Sequence, residues 1–334
     1  MTPRIVFLVM SAVHDAHAVN QLACALKPHV VLVHHDFSQS PEFALTAENV
    51  VFVPNPVKTG WADFGFVDGI FHSLRYALDH LEFDYLQLLS PTCLPIKPLR
   101  EFESHVSGAN DANFAYVDLL GDIDALMSVG YRAFAPVDSF KFRFLRKISR
   151  AYFGESTGRR DEAGIWLRSG FSKNAGGGKS LVARFAQATI RVFSRRALAG
   201  HVFDEHFRPL YGTTWFGARR HLIAKMVEVF HRPGIRDYFC RLHIADEFLI
   251  PSLLVHVGAK GGPMNHYIKK FNEARPGWFD DGDFQDLRAS ACFFARKFPD
   301  DASLPIRKRV LAELVGSECS DERRVGDERV EVPT

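Results

Sequence analysis

Short apolar runs alternate with stretches of helical spacing through the first third of the chain. Arg4–Met10, Val30–His34, Val50–Val53 and Asp84–Leu89 are rich in Val, Leu and Phe and read as strands. Between the first two, His14–Leu26 reads as a helix. Phe66–Leu81 places Phe66, Ile70, Phe71, Leu74 and Leu78 at the spacing of one helical face. Alternation of strand and helix predicts an α/β fold, a mostly parallel sheet covered on both faces. Ligands of such sheets collect at the carboxyl ends of the strands, so a nucleotide is sought just after Leu32 and Leu89.

The middle of the chain breaks this rhythm. Residues 120–205 mix Gly, basic and aromatic residues and read as a helical or irregular insertion. Gly176-Gly177-Gly178-Lys179-Ser180 lacks the first Gly of GxxxxGK[ST], which would fall at Lys173, and reads as a surface loop. Then follow a strand-like Thr213–Gly217, helices near Arg219–Phe230 and opening at Ala245-Asp246-Glu247, and a strand near His266–Lys269. A last helix, Asp283–Ser290, leads into Cys292–Phe298. The tail, 317–334, is polar and free of aromatic residues, a composition of disorder. Residues 1–316 are expected to form one catalytic unit, with a nucleotide-binding half at 1–119, the insertion at 120–205, and a second half at 206–316.

Composition narrows the class. With 334 residues, 47% hydrophobic and 24% charged, the chain is neither disordered nor fibrous. Its 41 basic and 39 acidic residues leave +2, which offers no case for a nucleic-acid partner. Five scattered cysteines without a CxxC fit reduced thiols, and no structural zinc is expected. No apolar run reaches the ~18 residues of a membrane span. Arg4, the apolar Ile5–Val13 and Ala16-His17-Ala18 imitate a signal peptide, yet the same residues serve better as a first buried strand. Within the insertion, Lys141, Arg143, Arg146, Lys147 and Arg150 alternate with Phe140, Phe142, Phe144, Leu145 and Ile148. The plain reading is a solvated helix face packed by its aromatics; the second is peripheral contact of 140–150 with anionic lipid or acceptor.

Six local strings, in order, resemble one family. They are Val33-His34-His35-Asp36, Leu89-Ser90-Pro91-Thr92-Cys93-Leu94-Pro95-Ile96-Lys97, Gly212-Thr213-Thr214-Trp215-Phe216, Asp246-Glu247-Phe248, Arg275-Pro276 and Phe294-Ala295-Arg296-Lys297-Phe298. Together they are similar to motifs of the Core-2/I-branching β-1,6-N-acetylglucosaminyltransferases and peptide xylosyltransferases, glycosyltransferase family 14. The resemblance spans residues 4–100 and 210–298. It implies a GT-A-like fold with a Rossmann-like sheet and an inverting, metal-independent enzyme that moves a sugar from a UDP-sugar to an acceptor hydroxyl.

The same resemblance implies site residues. Glu247 matches the general base, and Arg275 and Lys297 match two cations that replace the usual divalent ion at the departing diphosphate. His14 and Asp36 would line the nucleotide crevice, Asp36 accepting from uracil or ribose. Thr213, Thr214, Trp215 and Asp246 would border the donor or acceptor pocket. N-acetylglucosamine is the expected donor, a glycan or lipid-linked oligosaccharide the expected acceptor, and polysaccharide biosynthesis in a bacterial cytoplasm, at the inner face of the membrane, the expected setting. The chain departs from the pattern at Cys93, where the family has Asp, and at Lys270, where an acceptor-site Trp is expected. Cys93 reads as a buried thiol.

Residue chemistry alone leaves alternatives open. Asp246 and Glu247 also suit a helix start as partners of its dipole, and any single Arg or Lys is ordinarily a solvated cation. Asp36 also suits a loop after a strand, His14 a helix start, and His34 a packed strand position. Asp122-Ile123-Asp124 is a literal Asp-x-Asp that would make the enzyme metal-dependent, though it reads more simply as a turn. A non-catalytic carbohydrate- or membrane-binding protein on the same fold is the remaining alternative.

Overall fold

In the computed structural model the described residues are 2–108, 111–118, 201–260, 265–269, 271–272 and 275–317, with short pieces at 140, 143–144, 158–160, 166–168, 181, 185, 188 and 192. The centre is β1 (Ile5–Ser11), buried along its whole length. It pairs in parallel with β2 (Val30–His35) on one side and β4 (Tyr85–Leu89) on the other, and β3 (Val50–Phe52) adds in parallel beyond β2. The two sides of β1 explain its unbroken apolar run. Val6, Leu8 and Met10 enter one core while Ile5, Phe7 and Val9 enter the other, so the period-two alternation divides one strand between two layers.

Helices cover both faces. Asp15 caps α1 (Ala16–Ala25) by accepting from the His17 amide at 2.6 Å, and Asp63 caps α2 (Phe64–His80) by accepting from Gly65 at 2.7 Å. A third helix, α3 (Leu99–Ser107), buries Phe102 and Val106. The sheet is completed by β6 (Ala112–Asn113) and β11 (Gly217–Arg219), in the order β3-β2-β1-β4-β11-β6, with β11 antiparallel to both neighbours. Beside it β7 (Tyr116–Asp118) pairs with β10 (Leu210–Gly212), and β8 (Gly158–Arg160) with β9 (Trp166–Arg168). The protein is therefore mixed α/β with a mostly parallel sheet flanked by helices, as the alternation predicts.

One expected strand is corrected. Thr213–Gly217 is not a strand; β10 ends at Gly212 and β11 begins at Gly217, leaving Thr213–Phe216 as the connection. The two glycines set those limits. A Cβ at Gly212 would lie 2.3 Å from the Ala115 carbonyl oxygen, and one at Gly217 would lie 2.4 Å from Gln87 Oε1, so only glycine admits the close approach of both pairs.

The second half adds α4 (Arg220–Phe230), α5 (Ile235–Phe239) and α6 (Asp246–His256) to one core. A smaller sheet joins the halves, with β12 (His266–Ile268) parallel to β15 (Phe294–Arg296), and β15 antiparallel to β5 (Leu94–Pro95). A hairpin of β13 (Phe271–Asn272) and β14 (Arg275–Pro276) and the short α7 (Phe284–Ala289) lie between β12 and β15 in sequence. Beyond β15, α8 (Pro305–Arg309) continues into a wider helical turn over Val310–Val315. Among the described residues, no helix is long and apolar enough to cross a membrane.

Candidate active site

Asp36 closes β2 and is almost fully buried. Its Oδ1 accepts from the Ser38 hydroxyl at 2.6 Å and amide at 3.1 Å, while Oδ2 accepts from the Thr59 amide at 2.6 Å and the Gln39 side chain at 2.8 Å. Burial pushes this carboxyl up, but the hydrogen bonds from Ser38, Thr59 and Gln39 outweigh it and hold the group well below the usual carboxylate range. Both oxygens thus face their own protein. What Asp36 does here is tie down the strap formed by residues 54–63, with help from His34, whose Nε2 accepts from the Val57 amide at 3.0 Å. His34 is fully buried, the packed strand residue that its setting suggests.

The strap reaches the other half of the molecule. Trp61 stacks edge-on against His243 at 5.9 Å, and the Ile244 amide donates to the Ala62 carbonyl at 3.2 Å. Ala62 and Ile244 both have positive φ, 63° and 53°. A branched side chain seldom tolerates that region, so the surrounding contacts must hold Ile244 there. Two residues later α6 begins.

Helix α6 is buried from Phe248 to Leu254 and apolar there except at Ser252, whose hydroxyl accepts from the Leu210 amide, which makes it a core helix with an acidic first turn. Asp246 and Glu247 occupy that turn, half-buried, where the helix dipole favours negative charge. The Thr214 hydroxyl donates to Asp246 Oδ2 in a very short contact, and the Trp215 amide donates to Thr213 Oγ1 at 3.2 Å. The connection between β10 and β11 is thereby folded onto the start of α6.

From Trp215 the contacts lead to the cations. The Arg296 guanidinium lies over the Trp215 ring at 4.3 Å, and the adjacent Lys297 has its Nζ 5.4 Å from the Trp278 ring. Trp278 is half exposed, but its loop is fixed. Lys269 Nζ donates to the Trp278 carbonyl at 2.9 Å and to Asp283 at 2.6 Å, and the Phe279 amide donates to the Lys297 carbonyl at 2.8 Å. Arg275 stands in β14, where its backbone pairs with Asn272, three residues before Trp278. Before α1, His14 Nδ1 lies 2.6 Å from Asp300 Oδ2. Buried Arg307 binds the Ala18 carbonyl at 3.0 Å and the Pro299 carbonyl at 2.8 Å, which docks the turn after Lys297 against α1.

Thr213, Thr214, Trp215 and Asp246 therefore belong to one chain of contacts that reaches Arg296, with Glu247 beside Asp246 in the same helical turn; Lys297 follows Arg296 in sequence, but its side chain lies at Trp278. Three participants carried no weight in the sequence: Arg296, Trp278 and the strap. Arg296 was visible as the variable position in Phe294–Phe298, but the strap depends on φ values that composition does not encode. Cys93 is fully buried with its Sγ 3.2 Å from the Ser90 hydroxyl, and burial pushes its thiol up, away from nucleophile chemistry.

No model of a known protein family matches the chain, and no curated protein does. Asp122, Asp124, Lys270 and residues 176–180 lie outside the described residues, as do residues 318–334 of the expected tail. Of the basic and aromatic stretch, Phe140 and Phe144 are exposed with their rings stacked at 6.2 Å, so these two do not pack into the core. Among the described residues no group of three or more His, Cys, Asp or Glu is arranged to hold a metal ion.

Proposed function

We propose that the protein is an inverting glycosyltransferase of the GT-A type that moves a sugar, N-acetylglucosamine in the first instance, from a UDP-sugar to a hydroxyl of a glycan or lipid-linked oligosaccharide. The observation that carries this reading is the linkage of an acidic helix start to two neighbouring cations: Asp246 to Thr214, Trp215 to Arg296, and Arg296 to Lys297 in sequence. In this reading Glu247 takes the proton of the acceptor hydroxyl as its oxygen bonds to the anomeric carbon. The bond from that carbon to the β-phosphate oxygen breaks, its electron pair leaves with the diphosphate, and the configuration inverts. Lys297 and Arg275 stabilise the charge that develops there. A unit charge pair at ~4 Å and an effective dielectric near 20 interacts by about 4 kcal/mol before desolvation, which is enough to matter to leaving-group departure.

The test is product formation from a panel of UDP-sugars and glycan acceptors in excess EDTA, followed by mass spectrometry, for the wild type and Glu247→Gln. Transfer that survives EDTA and falls at least a hundredfold in the variant supports the reading. Transfer abolished by EDTA directs attention to Asp122 and Asp124. No transfer with any donor leaves a binding protein on this fold.

A further inference from the structure

Arg296 is a half-buried cation. Its guanidinium stacks on Trp215, and its Nε is sealed from solvent with no hydrogen-bond partner among the described residues. Among the described residues no carboxylate pairs with it. Burial pulls its pKa down from the ordinary arginine value, and the group that acts in the other direction is the Cys93 thiol, itself held neutral by burial. An arginine cannot escape this position by losing its proton, so it bears part of the desolvation cost of its charge, at the sealed Nε. Such groups are ordinarily paired.

The neighbouring side chain departs from expectation in the same place. His266 is completely buried, 6.4 Å ring to ring from Trp215, and among the described residues its Nε2 also has no partner. Its proton can be placed from the network. The Gln87 amide donates to the Phe216 carbonyl at 2.9 Å, so Gln87 Oε1 accepts from Asn265 at 2.7 Å. Asn265 Oδ1 is then turned toward His266 Nδ1 at 3.0 Å and accepts its proton, leaving Nε2 as a bare acceptor. Burial and then the Arg296 charge pull the His266 pKa down to about 3, so it stays neutral. Arg296 is therefore the positive charge at Trp215, whereas Lys297 serves the separate ring of Trp278.

We infer that Arg296 is the receptor for an oxyanion of the substrate, held at Trp215 beside the acidic start of α6 and apart from Lys297. This rests on the glycosyl-transfer reading for what the substrate is, but not for the presence of the anion site. The oxyanion is either a phosphate of the donor diphosphate or a carboxylate on a transferred or accepting sugar. Both suit the planar fork of an arginine.

Thermal unfolding of the full chain without nucleotide, then with inorganic pyrophosphate and with glucuronate, tests the inference in the wild type, Arg296→Met and Arg296→Lys. A cation with a sealed, unbonded Nε predicts that Arg296→Met does not lower the melting temperature of the ligand-free protein. Pyrophosphate or glucuronate should stabilise the wild type clearly more than Arg296→Met, in which Lys297 and Arg275 remain. The anion that behaves this way identifies the source. Arg296→Lys keeps the charge without the fork and should bind that anion about tenfold more weakly. Equal stabilisation of wild type and Arg296→Met, no stabilisation of the wild type by either anion, or a lowered melting temperature for ligand-free Arg296→Met overturns the inference. These readouts do not depend on turnover. An active wild type with no Arg296-dependent binding sinks this inference alone, and Arg296-dependent binding without sugar transfer sinks the proposed function alone.

Discussion

The Ile244 amide donates to the Ala62 carbonyl at 3.2 Å, and both residues sit in the left-handed region of backbone space. This contact joins the strap held by Asp36 to the turn that presents Asp246 and Glu247. Strain of this kind persists where the surroundings impose it, and it is more frequent at functional sites than elsewhere.

Ile244→Gly should therefore separate stability from activity. Glycine removes a left-handed penalty of about 1–2 kcal/mol, which offsets the lost side-chain packing, so urea unfolding should shift little. Turnover should fall roughly tenfold, because a misplaced catalytic group costs rate even when the fold survives. A stable variant with full turnover would show that the turn does not set Glu247.

Asp36→Asn removes the charged acceptor that holds Thr59 and Ser38. Urea unfolding at pH 7 should show a loss of about 2–3 kcal/mol, the scale of charge-assisted bonds at a buried site. The carboxyl is depressed in the folded state, so its contribution is complete above the unfolded value near 3.9 and declines as pH falls below it. The gap between wild type and variant should therefore narrow by about 1 kcal/mol between pH 5 and pH 3. Affinity for UDP should change less than threefold, since both oxygens are engaged within the protein. A hundredfold loss of UDP affinity would instead assign Asp36 to direct nucleotide contact.

His34 predicts an acid-sensitive component of stability. Burial, reinforced by nearby His72, pulls it down to about 4. The unfolded chain binds this proton near pH 6.5 and the folded chain does not, so stability is full above pH 6.5 and declines as pH falls toward 4. His34→Gln keeps an acceptor for the Val57 amide and removes the titration. Between pH 7 and pH 4.5 it should lose about 2–3 kcal/mol less than the wild type. Parallel stability curves for the two proteins would disprove the assignment.

How much of this was legible in the sequence depended on how far each feature reaches along the chain. The central strands announced themselves because Ile5–Met10 and Tyr85–Leu89 are apolar at successive positions, as burial on both faces requires. Helix α6 and its acidic start were visible for the same reason, an apolar stretch preceded by two carboxylates. The two-residue strands Leu94–Pro95 and Ala112–Asn113 were not, since they exist through pairing with Phe294–Ala295 and Gly217–Ala218, far away in sequence. Glycine misled at Thr213–Gly217, where a run of residues with strand character lies between two glycines, one pressed on the Ala115 backbone and the other on the Gln87 and Tyr85 side chains. Within the site, the carboxylates and Lys297 could be named from local strings. Arg296 could not be given its importance, because its want of a carboxylate partner among the described residues is a property of the folded chain, not of the local string.

The pairing of Leu94 with Ala295 also bears on how the protein is made. Roughly two hundred residues must leave the ribosome between the first partner and the second. The nascent amino-terminal half waits with an open sheet margin, and loops closed over such spans are slow to form and prone to association in the meantime. A truncated translation product would therefore bring trouble to the cell as a sticky fragment whose smaller sheet can never close.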